Sequence, residues 1–267
     1  MDRDYSARFP DAEAGAATPA NAIAPPVGVR LQLDALRYDD DVLLRDLDLT
    51  LRPGRITCLL GPSGVGKTSL LKIIAGLLPL PAASSLAASD GRPLTGRIAY
   101  MDQQDLLLPW ASVHDNLLIG ARLRGDAPDL TRADRLLDKV GLAKWRDARP
   151  DTLSGGMRQR LALARTLMED AAVVLMDEPF SALDAITKFH LQALAAGMLE
   201  GRTVLLITHD PLEALRLGHD IYVLAGHPAR LSRALRPEGV PPRDPATDAL
   251  KHHYSAIMAS LAARGED

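Results

Sequence analysis

A run of small and flexible residues, Gly61, Pro62, Ser63, Gly64, Val65, Gly66, Lys67, Thr68 and Ser69, has the composition of a loop that wraps phosphate. Its first eight positions satisfy the pattern G-x-x-x-x-G-K-[ST] in full. Glycines let the backbone approach phosphate oxygens without Cβ clashes. Successive N–H groups can then form an anion nest at a helix N-terminus. Lys67 supplies a point charge for the β- and γ-phosphates, the Thr68 hydroxyl a ligand for Mg²⁺, and Ser69 a further bond to the α-phosphate. Alone, this loop means nucleoside triphosphate binding and nothing narrower.

Two further segments carry chemistry. Val173, Val174, Leu175 and Met176 form an apolar run that ends in Asp177 and Glu178. Asp177, at the end of a buried strand, would hold Mg²⁺ directly or through water. Glu178, one residue on, would polarise an attacking water as general base. Such a pair is often only a solvated strand end; the phosphate loop in the same chain makes it a hydrolytic pair. The other segment is Leu153, Ser154, Gly155, Gly156, Met157, Arg158, Gln159 and Arg160. Ser154 is a good N-cap, and the glycine pair exposes backbone N–H groups at the start of a long helix. A capped helix after a glycine turn explains the cap. It does not explain a second phosphate-type site in one chain.

This last segment resembles the signature of the ATP-binding-cassette family, LSGGQ or a close variant, with Met157 at the variable position. The resemblance runs from about Val29 to Leu231. It implies that Tyr38 stacks on adenine, although a plain strand-edge tyrosine would read the same. Gln103 and Gln104 compete for the Q-loop position, and Pro109, six residues after Gln103, favours Gln103. That residue is then expected at the metal and in catalysis, joining the nucleotide to a helical subdomain. Ser181, Ala182, Leu183 and Asp184 match the D-loop, with Asp184 at the nucleotide. His209 matches the switch histidine that contacts the γ-phosphate. His114, His252 and His253 have no such context and read as surface residues. The resemblance further implies a head-to-tail homodimer, in which the phosphate loop of one subunit faces Ser154, Gly155 and Gly156 of the other. Its cofactors would be ATP and Mg²⁺.

These residues need elements to hold them. Val29, Leu31 and Leu33 alternate with polar residues, as do Leu47 and Leu49, which predicts half-exposed strands. Ile56–Leu60, Val173–Met176 and Thr203–Thr208 read as buried strands, Arg97–Met101 as a short one, and Ile221–Leu224 as a final strand of the core. Helices are expected over Ser69–Ala75, through much of Val113–Met168, and over Asp184–Leu199. Pro79–Pro93 reads as a loop. Strands alternating with helices predict an α/β fold on a largely parallel sheet. The resemblance makes it a P-loop NTPase (RecA-like) core with an antiparallel β subdomain and an inserted helical subdomain at about 104–168. Residues 1–28, rich in Ala, Pro and Asp, read as a disordered leader. Residues 29–231 read as the nucleotide-binding domain, and 232–267 as a C-terminal linker and helix. In that helix Leu250, Tyr254, Ile257, Met258 and Leu261 share a face.

The bulk properties exclude several classes. The chain has 267 residues with a formal net charge of -3, so there is no general basic field for nucleic acid. Its single cysteine, Cys58, cannot form an internal disulfide or a four-ligand zinc site and reads as a small core residue. Ile73–Ser89 is the longest uncharged run, too short and too broken by proline and serine for a membrane span of about 20 residues. The transport work therefore needs a separate permease. The expected role is the ATPase of a bacterial importer on the cytoplasmic face of the inner membrane, served indirectly by a periplasmic solute-binding protein. A stand-alone exporter or lipoprotein-release ATPase is the alternative. The segment around Leu107, Leu108, Pro109 and Trp110 resembles importers of nitrate, sulfonate, taurine and thiamine precursors. Residues 103–110, 165–169 and 210–218 together look like the ATPase of a hydroxymethylpyrimidine importer.

Overall fold

The computed structural model describes residues 25–39, 41–244 and 247–262. Most of the leader expected over residues 1–28 lies outside the described residues, which begin at 25, and so do Pro245 and the last five residues of the C-terminal segment.

The first two strands, β1 (Val29–Tyr38) and β2 (Asp41–Leu51), alternate apolar and polar residues, and their burial follows the alternation. They pair antiparallel, with Val29 opposite Leu51. β3 (Ile56–Leu60) is buried at every position and leads into the phosphate loop and α1 (Lys67–Ile74). β4 (Ser85–Ala88) and β5 (Ile98–Met101) follow. Three helices come next: α2 (Val113–Arg124), α3 (Leu130–Lys139) and α4 (Gly155–Met168). The chain then alternates: β6 (Val173–Asp177), α5 (Ala185–Met198), β7 (Thr203–Ile207), α6 (Pro211–Leu217), β8 (Asp220–Gly226). β9 (Ala229–Leu231) and α7 (Asp248–Ala262) complete the described elements.

The strands order as β4-β1-β2-β9-β8-β3-β7-β6-β5. From β8 to β5 every pairing is parallel. At the other end β1 pairs antiparallel with β2 and with β4, and β8 pairs antiparallel with β9. The expected parallel core and antiparallel β subdomain are both present, joined through β8 and β9.

Side-chain alternation sends each core strand to two different neighbourhoods. Val173 and Leu175 of β6 join Leu59, Leu205, Ile207 and the inner residues of α1 and β1. Val174 and Met176 join Cys58, Leu206 and the later helices. α1 thus lies between the parallel core and the antiparallel arm. A helix of eight residues is too short to persist alone. Leu70, Leu71, Ile73 and Ile74 are each at most 2% exposed, and burial of such side chains contributes about 1.5–3 kcal/mol apiece. Packing from two sides, not intrinsic propensity, holds the helix that carries Lys67 and Thr68.

Three sequence expectations need correction. Pro79–Pro93 is not only loop, because Ser85–Ala88 adds to the edge of β1 as β4. Ile221–Leu224 lies in β8, the last strand of the parallel core as expected, and β9 then turns back on it. His114 is buried, with Nε2 3.2 Å from Arg146 and 3.5 Å from Asp134. The segment before α7 is firmly fastened, because the buried Arg243 guanidinium donates to the carbonyls of Leu215, Gly218, Pro237, Glu238 and Gly239. Of the expected apolar face of α7, Leu250 and Ile257 are buried, whereas Tyr254 and Met258 stay exposed.

Cys58 is fully buried, and burial, reinforced by nearby Glu213, pushes its thiol far above the ordinary range. His219 shows the opposite effect on a base. Its Nδ1 accepts from the Ile56 N–H at 3.1 Å, which requires the neutral ring. Burial, then the charge of Arg55 and Arg243, lowers its pKa from 6.5 to about 4. The folded state therefore binds fewer protons than the unfolded chain between those values. The stability held by neutral His219 is present above pH 6.5 and is lost as pH falls toward 4. The shift sets a ceiling of about 3 kcal/mol, and the half-buried ring brings the expected value to about 1–2 kcal/mol. Urea unfolding near pH 7.5 and pH 5 should show wild type losing that much more stability than His219→Gln. Equal losses would contradict it.

Candidate active site

The phosphate loop is set by close contacts that only glycine allows. A Cβ on Gly61 would lie 2.4 Å from the Leu224 carbonyl oxygen of β8. Gly66, the N-cap of α1, has φ 99°, a conformation that L side chains rarely adopt. The Lys67 ammonium donates to the carbonyls of Gly61 and Pro62, both at 2.8 Å, and so sits inside the curve of the loop. Burial lowers its pKa, and the charges of Glu178 and Asp177 pull the other way.

α1 and β6 bring the two expected metal ligands together. The Thr68 hydroxyl donates to Asp177 Oδ2 at 2.7 Å. Asp177 is 2% exposed, and burial raises its pKa against the opposing Thr68 hydrogen bond. A hydroxyl and one carboxylate are hard oxygen donors of the kind that suit Mg²⁺ shared with a triphosphate. Gln103, also expected at the metal, reaches toward Glu178 instead.

Glu178 leaves the strand with φ 48°, uncommon for a residue with a side chain. Its N–H donates to the Ile207 carbonyl of β7 at 3.0 Å. The turn carries its carboxylate to the end of β7, where Oε1 lies 3.1 Å from His209 Nδ1. The other oxygen, Oε2, is 3.5 Å from the Gln103 amide nitrogen, a long contact. Gln104 instead donates its backbone N–H to Asp102. Of the two competing glutamines, Gln103 is the one that meets the acidic pair.

The stretch after Gln103 is clamped by α4. Arg158 bonds the Asp105 carboxylate at 2.9 Å, and Arg165 donates to the Asp105 and Leu106 carbonyls at 2.7 and 2.8 Å. Leu106 is 55% exposed and Trp110 72% exposed. Ser154 caps α4 by accepting from the Met157 N–H at 3.3 Å. Ser154 and Gly155 are exposed, and Gly156 faces the Ala182 carbonyl of the D-loop turn. Among the described residues, no hydrogen bond joins Ser154, Gly155 or Gly156 to the phosphate loop. Asp184 caps α5 through the Thr187 N–H, and that bond lowers its pKa. Tyr38 is 71% exposed and shares a groove of about 610 Å³ with Ser69 and Ile73.

The structure thus gathers residues 61–69, Asp177, Glu178, His209 and Gln103 around one point, with Tyr38 beside it. Sequence reasoning missed the side chains that hold Glu178 and the stretch after Gln103: Gln159, Arg158 and Arg165. All three lie on α4 and contact residues 20 or more positions away or in another element, so no local spacing announces them.

The profile of the family described as "ABC transporter" matches residues 44–181. The chain is 44% identical over 224 residues to an uncharacterized ABC transporter ATP-binding protein of Haemophilus influenzae, covering 81% of this chain and 91% of the relative. It is 40% identical over 231 residues to an aliphatic sulfonates import ATP-binding protein of Burkholderia cenocepacia, covering 85% and 84%. It is 42% identical over 201 residues to a taurine import ATP-binding protein of Roseobacter denitrificans, covering 72% and 74%. Among solved structures, a dimeric post-hydrolysis ATP-binding cassette bound to ADP and Pi matches with a TM-score of 0.69 and 26% identity, covering 79% of this chain and 99% of that one.

Proposed function

Because the chain belongs to the ABC transporter family, we propose that it works as the ATP-hydrolysing subunit of a bacterial importer, two copies acting together beneath a separate permease on the cytoplasmic face of the inner membrane. The observation that carries this reading is the Thr68–Asp177 bond set beside the Glu178–His209 contact. It supports a pair of hard oxygen ligands and a general base at the mouth of a phosphate loop. Bound Mg-ATP supplies the γ-phosphoryl group and a cation that neutralises its charge. The residues do the rest. Lys67 and the loop N–H groups orient the phosphates, and Ser69 adds a bond. Thr68 and Asp177 would hold the cation, with Gln103 alongside. Glu178 takes the proton of the attacking water, and His209 steadies that carboxylate and the γ-phosphate. Tyr38 faces the adenine. Ser154, Gly155 and Gly156 of a second copy close over the nucleotide, with Asp184 at the seam. The dimeric cassette of similar fold supports that assembly.

In this reading residues 29–231 form the nucleotide-binding domain, with a helical subdomain at about 104–168, and 232–267 form a C-terminal extension. Among the described residues no helix is long and apolar enough to cross a membrane, which agrees with a peripheral subunit. Leu106, tethered to α4, and Trp110 are exposed and offer an apolar docking surface for the permease. A periplasmic solute-binding protein would deliver the cargo.

For that cargo two readings compete. The hydroxymethylpyrimidine reading rests on three short segments of this chain. The names of the relatives support an organosulfonate or taurine. The test is uptake by proteoliposomes holding this chain and the permease encoded beside it, offered taurine, an alkanesulfonate and hydroxymethylpyrimidine in turn. ATP-driven uptake of one is expected. ATP-driven efflux from the vesicles would overturn the importer reading.

A further inference from the structure

Gln159 lies on α4, one turn past the exposed start of that helix, and is 7% exposed. Its side-chain amide has no role in the reaction as described above. Both ends of the amide are nevertheless engaged. Nε2 donates to the Glu178 carbonyl at 3.1 Å and to Ser181 Oγ at 3.3 Å. Oε1 accepts from the Ala182 N–H at 2.8 Å. This pattern fixes the amide orientation, because a flipped amide would face a carbonyl with an oxygen and an N–H with an NH₂.

We infer that Gln159 is a positioning residue, which locks the left-handed backbone of Glu178 and so aims its carboxylate at His209.

A non-glycine residue at φ 48° is strained and persists only where its surroundings over-determine it. Four bonds act on this peptide. The Glu178 N–H is taken by Ile207. The Glu178 carbonyl receives the Ser181 N–H at 3.2 Å, the Ser181 hydroxyl at 3.1 Å and the Gln159 amide. Both bonds from Ser181 are local to the turn and move with it. Among the described residues only Gln159 ties that carbonyl to another element. Since the same amide holds Ala182, it fixes the turn at both ends, and Glu178 becomes rigidly tied to the helix that opens with Ser154, Gly155 and Gly156. A displacement of α4 is then felt at the carboxylate without passing through the nucleotide. A hydrolytic carboxylate displaced by about 1 Å loses on the order of 10²-fold in rate.

The inference rests on Glu178 as the base, and the experiment separates the two. Full-length Gln159→Leu keeps the volume and removes the amide. Gln159→Glu keeps an acceptor for Ala182 and sets an oxygen against the Glu178 carbonyl. ATPase kcat and KM, nucleotide Kd and thermal unfolding are measured for each. Both variants should lose about 10- to 100-fold in kcat, with Kd for ATP within about twofold of wild type. In a Glu178→Gln background, Gln159→Leu should slow turnover no further, because the residue it aims is already gone. Where Gln159→Leu fails to fold, Gln159→Glu carries the test, its folding shown by an unchanged nucleotide Kd. A kcat within about twofold of wild type overturns the inference, as does a rise in KM at constant kcat or a fully additive loss in the double variant. If Glu178→Gln itself does not slow turnover, the assignment of the base fails instead.

Discussion

Replacement of Glu178 by Gln is expected to slow ATP turnover by about 10²- to 10⁴-fold, the range that general-base catalysis supplies. Nucleotide affinity should stay unchanged. Gln has nearly the same shape as Glu, so the left-handed turn and the Ile207 bond stay available to it. What it lacks is the basic oxygen now 3.1 Å from His209. The phosphate loop, Thr68 and Asp177 are untouched, so a triphosphate should still bind and should survive. If ATP holds two copies together and hydrolysis releases them, the variant should accumulate as a dimer with saturating Mg-ATP. Gel filtration reads this directly. A variant that turns over at the wild-type rate, or that stays monomeric with Mg-ATP, would overturn the reading.

Replacement of Lys67 by Ala should act at the earlier step. The ammonium sits inside the loop on the Gly61 and Pro62 carbonyls, where it would face the β- and γ-phosphates. Truncating one partner of a buried charge pair costs about 2–5 kcal/mol, or at least about 30-fold in affinity. Stability without nucleotide should change little, because burial already disfavours the charged amine, as its lowered pKa shows. Thermal unfolding separates these effects. Wild type should gain in Tm with added Mg-ATP, and Lys67→Ala should show the same starting Tm without the gain. A full ligand-induced gain in the variant would remove Lys67 from the binding site.

The contrast between these residues explains what could be read from the chain. Lys67, Thr68, Asp177 and Glu178 announce themselves because phosphate and metal chemistry uses contiguous residues at fixed spacing. β1, β3, β6 and β7 are legible for a different reason: strands that are half-buried or fully buried carry that fact in their hydrophobic pattern. β4 does not. Ser85, Leu86, Ala87 and Ala88 have little strand character, and only pairing with β1 makes them a strand. α6 was legible in retrospect, since Asp210 caps it and Pro211 begins it, but seven residues give too short a period to see. The choice of Gln103 over Gln104 rested on a resemblance to other chains, and the contact with Glu178 now gives a geometric reason for it. Gln159 and Arg165 were not legible at all. Apart from the Ser181 hydroxyl, their partners are backbone atoms from other segments, and a main-chain group leaves no trace in residue identity.

Cys58 has a practical side. Thiol reagents attack the thiolate, and this thiol is fully buried with its ionisation strongly suppressed. No other cysteine exists in the chain. Toward maleimides and spin labels the native molecule is therefore blank. A cysteine installed at an exposed position such as 110 or 154 would be the sole point of attachment. Spectroscopic rulers between the helical subdomain and a second copy can be built without first removing a native thiol from the core.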